Sequence, residues 1–333
     1  MPEALTPRAL IKSLLRGDAP PRPLLMPIIF SLGSKVENVP LQQFLCNATK
    51  ITSALRQIWS VLQVDGLTCY FDPLLEAEAL GCKVAWSAQG VPALEKPATG
   101  SLREHLKPPE SLPQQGRIPI ACEVIRRLRA ILKDEPALMV GVTGPFALAA
   151  QLRASHAAAN PTPLPAEDVE FAAEVVLSVS KAYLEAGTDV ILLAEECAGE
   201  PTAETCEWWA SLIEPAGNLI RFYEALPVLL LKDATRLSGA FSAILDNTQS
   251  WFLCPALEQD EPKCRNLISS RSGTMGLALP PAFFEGGQAA TSIYRNLLDS
   301  NPVLLTSSTD ISANADPKQV ATALECLRRA TAA

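Results

Sequence analysis

The chain has 333 residues, 48% hydrophobic and 19% charged, with 36 acidic against 28 basic side chains and a formal charge of −8. That composition supplies a large core and excludes a disordered tail or fibre, while the acidic balance argues against sequence-independent nucleic-acid binding, which needs a basic surface. No run approaches the roughly 20 apolar residues of a membrane span, and no basic segment followed by an apolar signal core opens the chain, so a cytoplasmic protein is expected.

In chain order, residues 6–17 read as a helix, with Thr6 as N-cap, Pro7 in the first turn and Gly17 at the close. Its expected place is the barrel's bottom or side. Eight apolar runs follow, at 24–32, 66–72, 137–145, 189–196, 227–233, 251–257, 272–279 and 302–308. Near-continuous hydrophobics over such lengths read as strands buried on both faces. Helical spacing fills much of the intervening chain, at 41–62, 122–132, 166–186, 204–225 and 317–329. Strand alternating with helix eight times predicts a (β/α)8 TIM barrel. A doubly wound sheet is the rival, but no Gly-rich phosphate fingerprint follows the first run. A single domain over 1–333 is expected, with 1–20 as an N-terminal helical extension and 84–113 as a long rim insertion.

In such a barrel, chemistry sits where strands end at their carboxyl termini. Asp72 ends the second run and precedes Pro73, so it either works in the pocket or caps the turn. Glu195 and Glu196 end the fourth run, and neighbours on a strand point to opposite sides, so one faces the mouth and the other packs or caps. Lys232 and Asp233 end the fifth, as an ion pair, a rim contact or a catalytic set. Gly144 and Pro145 form a tight turn that lets a flat ligand approach backbone. Thr309 and Asp310 leave the last run, in an ST-turn or in the site. Catalytic candidates are Asp72, Glu195 and Asp233; substrate-binding candidates are Phe30, Lys35, Tyr70, Gly144, Pro145, Gln151, Glu196, Lys232, Thr309 and Asp310.

The nine cysteines show no CxxC pair and read as small buried hydrophobes in a reducing compartment. Two histidines, His105 and the surface-placed His156, give little support to a histidine-rich metal site or a Ser-His-Asp triad.

Several stretches together resemble the uroporphyrinogen decarboxylase superfamily, which includes the methylcobamide:coenzyme M methyltransferases. They are Val64-Asp-Gly-Leu-Thr-Cys-Tyr-Phe-Asp-Pro73 through Glu76-Ala-Glu-Ala-Leu-Gly81, Gly141-Val-Thr-Gly-Pro-Phe146, Tyr183-Leu-Glu-Ala-Gly-Thr-Asp-Val-Ile191 and Gly276-Leu-Ala-Leu-Pro280. The resemblance covers nearly the whole chain and implies that Asp72 is the family's central carboxylate. It also shows departures. The decarboxylase arginine pair after strand one has only Lys35 here, the tyrosine after the Gly-Pro turn falls on Gln151, and the late histidine has no counterpart in 304–314.

The methyltransferases' zinc set, His-x-Cys after strand five and Cys after strand eight, meets Leu231-Lys-Asp-Ala-Thr235 and Ser307-Ser-Thr-Asp-Ile311. Zinc is therefore not expected, although Asp233, Asp310 and a Glu leave room for a harder ion. The expectation is a methyltransferase moving a methyl group between a small-molecule substrate and a corrinoid (cobalamin) carried by a partner protein. The alternatives are a diverged uroporphyrinogen decarboxylase and a non-catalytic barrel that binds a ligand or corrinoid protein. A homodimer accords with the family.

Overall fold

A computed structural model describes residues 6–87, 90, 92–133, 135–153, 164–196, 202–232, 248–256, 275–286 and 302–331. The barrel strands are β1 (Leu24–Leu25), β2 (Gly66–Tyr70), β5 (Ala137–Thr143), β6 (Val190–Glu195), β7 (Leu226–Leu231), β8 (Phe252–Pro255), β9 (Leu277–Leu279) and β10 (Leu304–Ser307); a rim hairpin supplies β3 (Val84–Trp86) and β4 (Pro92–Leu94). Each of the eight expected runs contains one barrel strand.

All barrel pairings are parallel, in the orders β2-β5-β6-β7-β8 and β1-β10-β9. Two seams join these sheets. Asp65 N–H donates to Leu25 O at 2.9 Å, tying β1 to the start of β2, and Gly276 N–H donates to Leu253 O at 2.8 Å, with parallel bridges Leu253–Met275 and Ala256–Ala278 tying β8 to β9. The result is the (β/α)8 arrangement. Every residue of β6 and β7 is buried, which explains why those runs are continuous in leucine, isoleucine and valine rather than alternating.

The helices follow the apolar stripes with one adjustment. The expected 41–62 helix divides into Leu41–Leu45 and Ala48–Leu62, because the Asn47 side chain accepts from Lys50 N at 3.0 Å and starts a new helix. Ala166–Ala186 keeps its expected bounds and stops at Gly187, whose φ of 100° is the left-handed cap that glycine adopts without strain. The opening helix, Pro7–Leu15, buries Leu10, Ile11 and Leu14 and sends Arg8 Nε to Asp189 Oδ1 at 2.8 Å. Asp189 stands just before β6, so this helix packs on the amino-terminal floor.

The rim segment is more ordered than an irregular loop. The antiparallel β3–β4 hairpin is followed by a helical turn, Leu102–His105, and a 3-10 turn, Pro109–Gln114, which lead into the helix Ile118–Leu132. No described helix is long and apolar enough to cross a membrane.

Candidate active site at the strand exits

The register of β2 against β5 slips between Thr68 and Tyr70. A bulge of this kind re-aims the side chains beyond it, and the residues beyond it build the first cluster. Asp72 is buried. Its Oδ1 accepts from Leu74 N at 3.0 Å, so it does cap the turn. Its Oδ2 lies 2.5 Å from Arg117 Nη1 in an ion pair with both side chains almost fully enclosed. That contact is side-on, and Oδ2 has no aligned hydrogen-bond donor.

Arg117 is spent on the protein itself. Its Nη1 donates to Tyr70 Oη at 3.1 Å, its Nε to Glu78 Oε2 at 2.7 Å, and its Nη2 meets the same Glu78 oxygen. Burial works against its charge, but Tyr70, Asp72 and Glu78 hold the guanidinium above its usual range. Tyr70 in turn donates to Leu45 O at 2.7 Å, and burial pushes its phenol up. Phe30 packs between Tyr70 and Phe44, with ring centres 4.9 and 5.6 Å away. Phe30 and Tyr70 therefore form the wall behind Asp72.

Glu76, one helical turn past Asp72, is also enclosed. Its Oε2 meets Thr143 Oγ1 at 2.8 Å, its Oε1 accepts from Thr143 N at 3.3 Å, and burial raises its pKa to about 7.

A second cluster joins β5 to β6. Glu195 is fully buried, and its carboxylate serves four donors: Phe146 N at 3.1 Å, Ala147 N at 2.8 Å, Glu196 N at 3.0 Å and Trp209 Nε1 at 3.0 Å. Two of these donors lie in the first turn of the Pro145–Leu152 helix, where a carboxylate is favoured by orphan N–H groups and the helix dipole. Burial nonetheless raises Glu195 to about 7. A Cβ on Gly144 would stand 2.6 Å from the Glu195 carboxyl carbon. The close approach expected there from a flat ligand is made by Glu195 itself. The sequence places Glu195 among the catalytic candidates, whereas its geometry is that of a joint between two strand exits.

The other candidates scatter around the rim. Glu196 is half-buried, with Oε2 3.7 Å from Lys232 Nζ; the pair is about one third exposed on both sides and contributes little. Asp310 accepts from Phe30 N and Ser31 N, both at 2.9 Å, clamping the β1 exit to the β10 exit, and burial raises it to about 6. Thr309 and Lys35 are exposed, and Lys35 Nζ donates to the carbonyls of Asn314 and Ala315 at 3.3 and 3.1 Å. Gln151 Oε1 is buried without a hydrogen-bond partner. Asp233 and His156 lie outside the described residues. Among the described residues, no three His, Cys, Asp or Glu side chains converge in a way that could hold a metal ion.

The structure thus brings Asp72, Tyr70 and Phe30 together and adds Arg117, Glu78, Glu76 and Thr143, which the strand-end reading does not single out. Glu76 and Glu78 carry a signal, being two acids in the short Leu75–Ala79 helix directly after the strand. Arg117 carries none, since it arrives from beyond the rim insertion.

Comparison with known proteins bears on the whole. A solved methyltransferase from Methanosarcina mazei superposes with a TM-score of 0.80 over 98% of this chain and 99% of that one, at 16% identity, which shows a shared fold. A B12-independent methionine synthase from Shewanella superposes with a TM-score of 0.51 over 87% and 88%, at 12% identity. In sequence, the "Methylated-thiol--coenzyme M methyltransferase" of Methanosarcina mazei is 24% identical over 230 residues. That match takes in 66% of this chain and 59% of the relative, so less than two thirds of the relative's length is covered. The family model described as uroporphyrinogen decarboxylase (URO-D) matches residues 6–210, more than half of the 333. The chain belongs to the uroporphyrinogen decarboxylase family.

Proposed function

We propose that this protein is a methyltransferase of the family, moving a methyl group between a small substrate and a corrinoid carried by a partner protein. The observation that carries this reading is Asp72 Oδ2, an enclosed acceptor backed by Arg117 and without an aligned donor of its own. This carboxylate stands at the strand end where barrel enzymes do chemistry, and the oxygen not taken by a protein N–H is the acceptor that a ligand's donor would use. The methyltransferase relative supports the reaction class.

A reduced corrinoid, when bound, supplies a cobalt nucleophile for the methyl group. The chain's own part is to hold the methyl donor. Asp72 accepts a hydrogen bond from it, the Arg117–Tyr70–Glu78 set keeps Asp72 in place, and the packed Phe30 and Tyr70 rings hold that set from behind. The zinc arrangement does not fit the residues present. The stretches Leu231-Lys-Asp-Ala-Thr235 and Ser307-Ser-Thr-Asp-Ile311 hold neither histidine nor cysteine, and both Asp310 oxygens accept backbone N–H groups. Arg117 offers the decarboxylase alternative no grip for a substrate carboxylate, because it spends its donors inside the protein.

The test is methylation of free cob(I)alamin by a panel of methylated thiols, alcohols and amines, followed by visible absorbance. At least one donor should react with the wild type, and Asp72→Asn should slow that reaction by about 100-fold or more with an unchanged unfolding transition. A folded Asp72→Asn variant with full activity, or turnover of a porphyrinogen in place of any methyl donor, would overturn the proposal.

A further inference from the structure

The proposed reaction leaves one enclosed carboxyl at the β2 exit unused. Thr143 Oγ1 stands 2.8 Å from Glu76 Oε2 and 3.2 Å from the carbonyl oxygen of Pro73. A threonine hydroxyl has one proton, so it can donate to only one of these oxygens. When it donates to the Pro73 carbonyl, the 2.8 Å contact with Glu76 needs a proton from the carboxyl. The Pro73 carbonyl has none, whereas Glu76 can carry one.

The surroundings favour this assignment. Glu76 is only 1% exposed. Facing it are Asp72 from the β2 exit, Thr143 from β5 and Tyr183 from the Ala166–Ala186 helix. Burial is the largest influence and favours its neutral form; the hydrogen bonds from Thr143 and from its own backbone N–H work against it, and the charge of Asp72 acts with burial. The neighbouring cation, Arg117, is paired with Asp72 and Glu78.

We propose that Glu76 is a positioning residue, held as a neutral carboxylic acid that donates to Thr143 Oγ1 while Thr143 donates to the Pro73 carbonyl. This relay fixes the Asp72–Pro73 turn from behind. Its effect on turnover rests on the methyltransferase reading, but the protonation state of Glu76 does not. Two carboxyls four positions apart thus meet different partners: Asp72 faces a guanidinium, and Glu76 faces a hydroxyl.

Infrared difference spectroscopy between the wild type and Glu76→Gln tests the proton directly. At about pH 6 the wild type should show the carbonyl stretch of a protonated carboxyl that the variant lacks, and the band should fade as the pH passes about 8. Only ionised carboxylate bands at both values would overturn the proposal. Thr143→Val should leave the band but shift its frequency, since the acceptor is gone; an unshifted band would overturn the relay.

In methyl transfer, Glu76→Gln should retain most of the wild-type rate, because a neutral amide can still donate to Thr143, and should lose the alkaline fall expected of the wild type. A folded Glu76→Gln variant slowed more than about tenfold at pH 6 would refute the neutral-acid role. If no methyl transfer occurs at all, the infrared arms still decide the question.

Discussion

At the amino-terminal ends of the strands, acidic side chains meet arginines. Asp65 takes two hydrogen bonds from Arg22, at 2.6 and 2.8 Å, and Asp189 is held by Arg8 and Arg129. Both acids also accept the backbone N–H of a neighbouring strand, Leu25 and Leu138 respectively, at 2.8 Å. At the carboxyl-terminal ends, Glu76, Glu195 and Asp310 are held chiefly by backbone N–H groups, a hydroxyl and an indole. A carboxylate beside a cation is neutralised in place, whereas one surrounded by neutral donors keeps a pKa open to burial. That is why burial pushes the upper-end acids Glu76, Glu195 and Asp310 upward although they remain well bonded. Asp72 and Glu78 depart from this pattern, sharing the Arg117 guanidinium at the β2 exit.

The sharpest way to break the contrast is Arg117→Met. It leaves Asp72 and Glu78 without their cation, and the 6% exposed Arg117 side chain shows how little water could replace it. The expected loss is about 3–5 kcal/mol in urea unfolding; a loss below about 1 kcal/mol would show that the cluster is not the buried network described.

A second test uses pH. Glu76 and Glu195 are raised to about 7 and Asp310 to about 6. Their unfolded counterparts release protons near pH 4, so the folded state holds protons that the unfolded chain has already lost. The stabilising contribution is complete below about pH 4 and declines as pH rises through about 7, by up to roughly 3 kcal/mol for a fully buried group. The pH slope of the unfolding free energy should flatten in this window in Glu76→Gln.

Asp65→Asn should give the smallest effect. Arg22 is 43% exposed and can turn to water when its partner goes, so a cost of about 1–2 kcal/mol and an unchanged methyl-transfer rate are expected.

The fold was legible because each barrel strand is a short apolar run, and burial on both faces leaves no other pattern available to β6 and β7. Asp72 was legible for the same reason, as a lone polar residue closing such a run. The break at Cys46–Asn47 was missed because Leu41 to Leu62 keeps its apolar spacing across the capping asparagine. Arg117 was missed for a different reason. Its meaning depends on the rim segment returning over the β2 exit, and no local spacing records that return. Which of Glu195 and Glu196 faces the mouth was not legible, because a strand-terminal acid and a helix-capping acid are the same letter; the Phe146, Ala147 and Trp209 donors that distinguish them come from two other segments.

The bond from the Trp209 indole to Glu195 has an optical consequence. Indole emission responds to the local electric field, and this ring touches the carboxyl that locks two neighbouring strand exits. With the remaining tryptophans replaced by phenylalanine, its colour would become a dye-free gauge of occupancy, reporting from inside the wall whenever a molecule settles against the β5 and β6 exits.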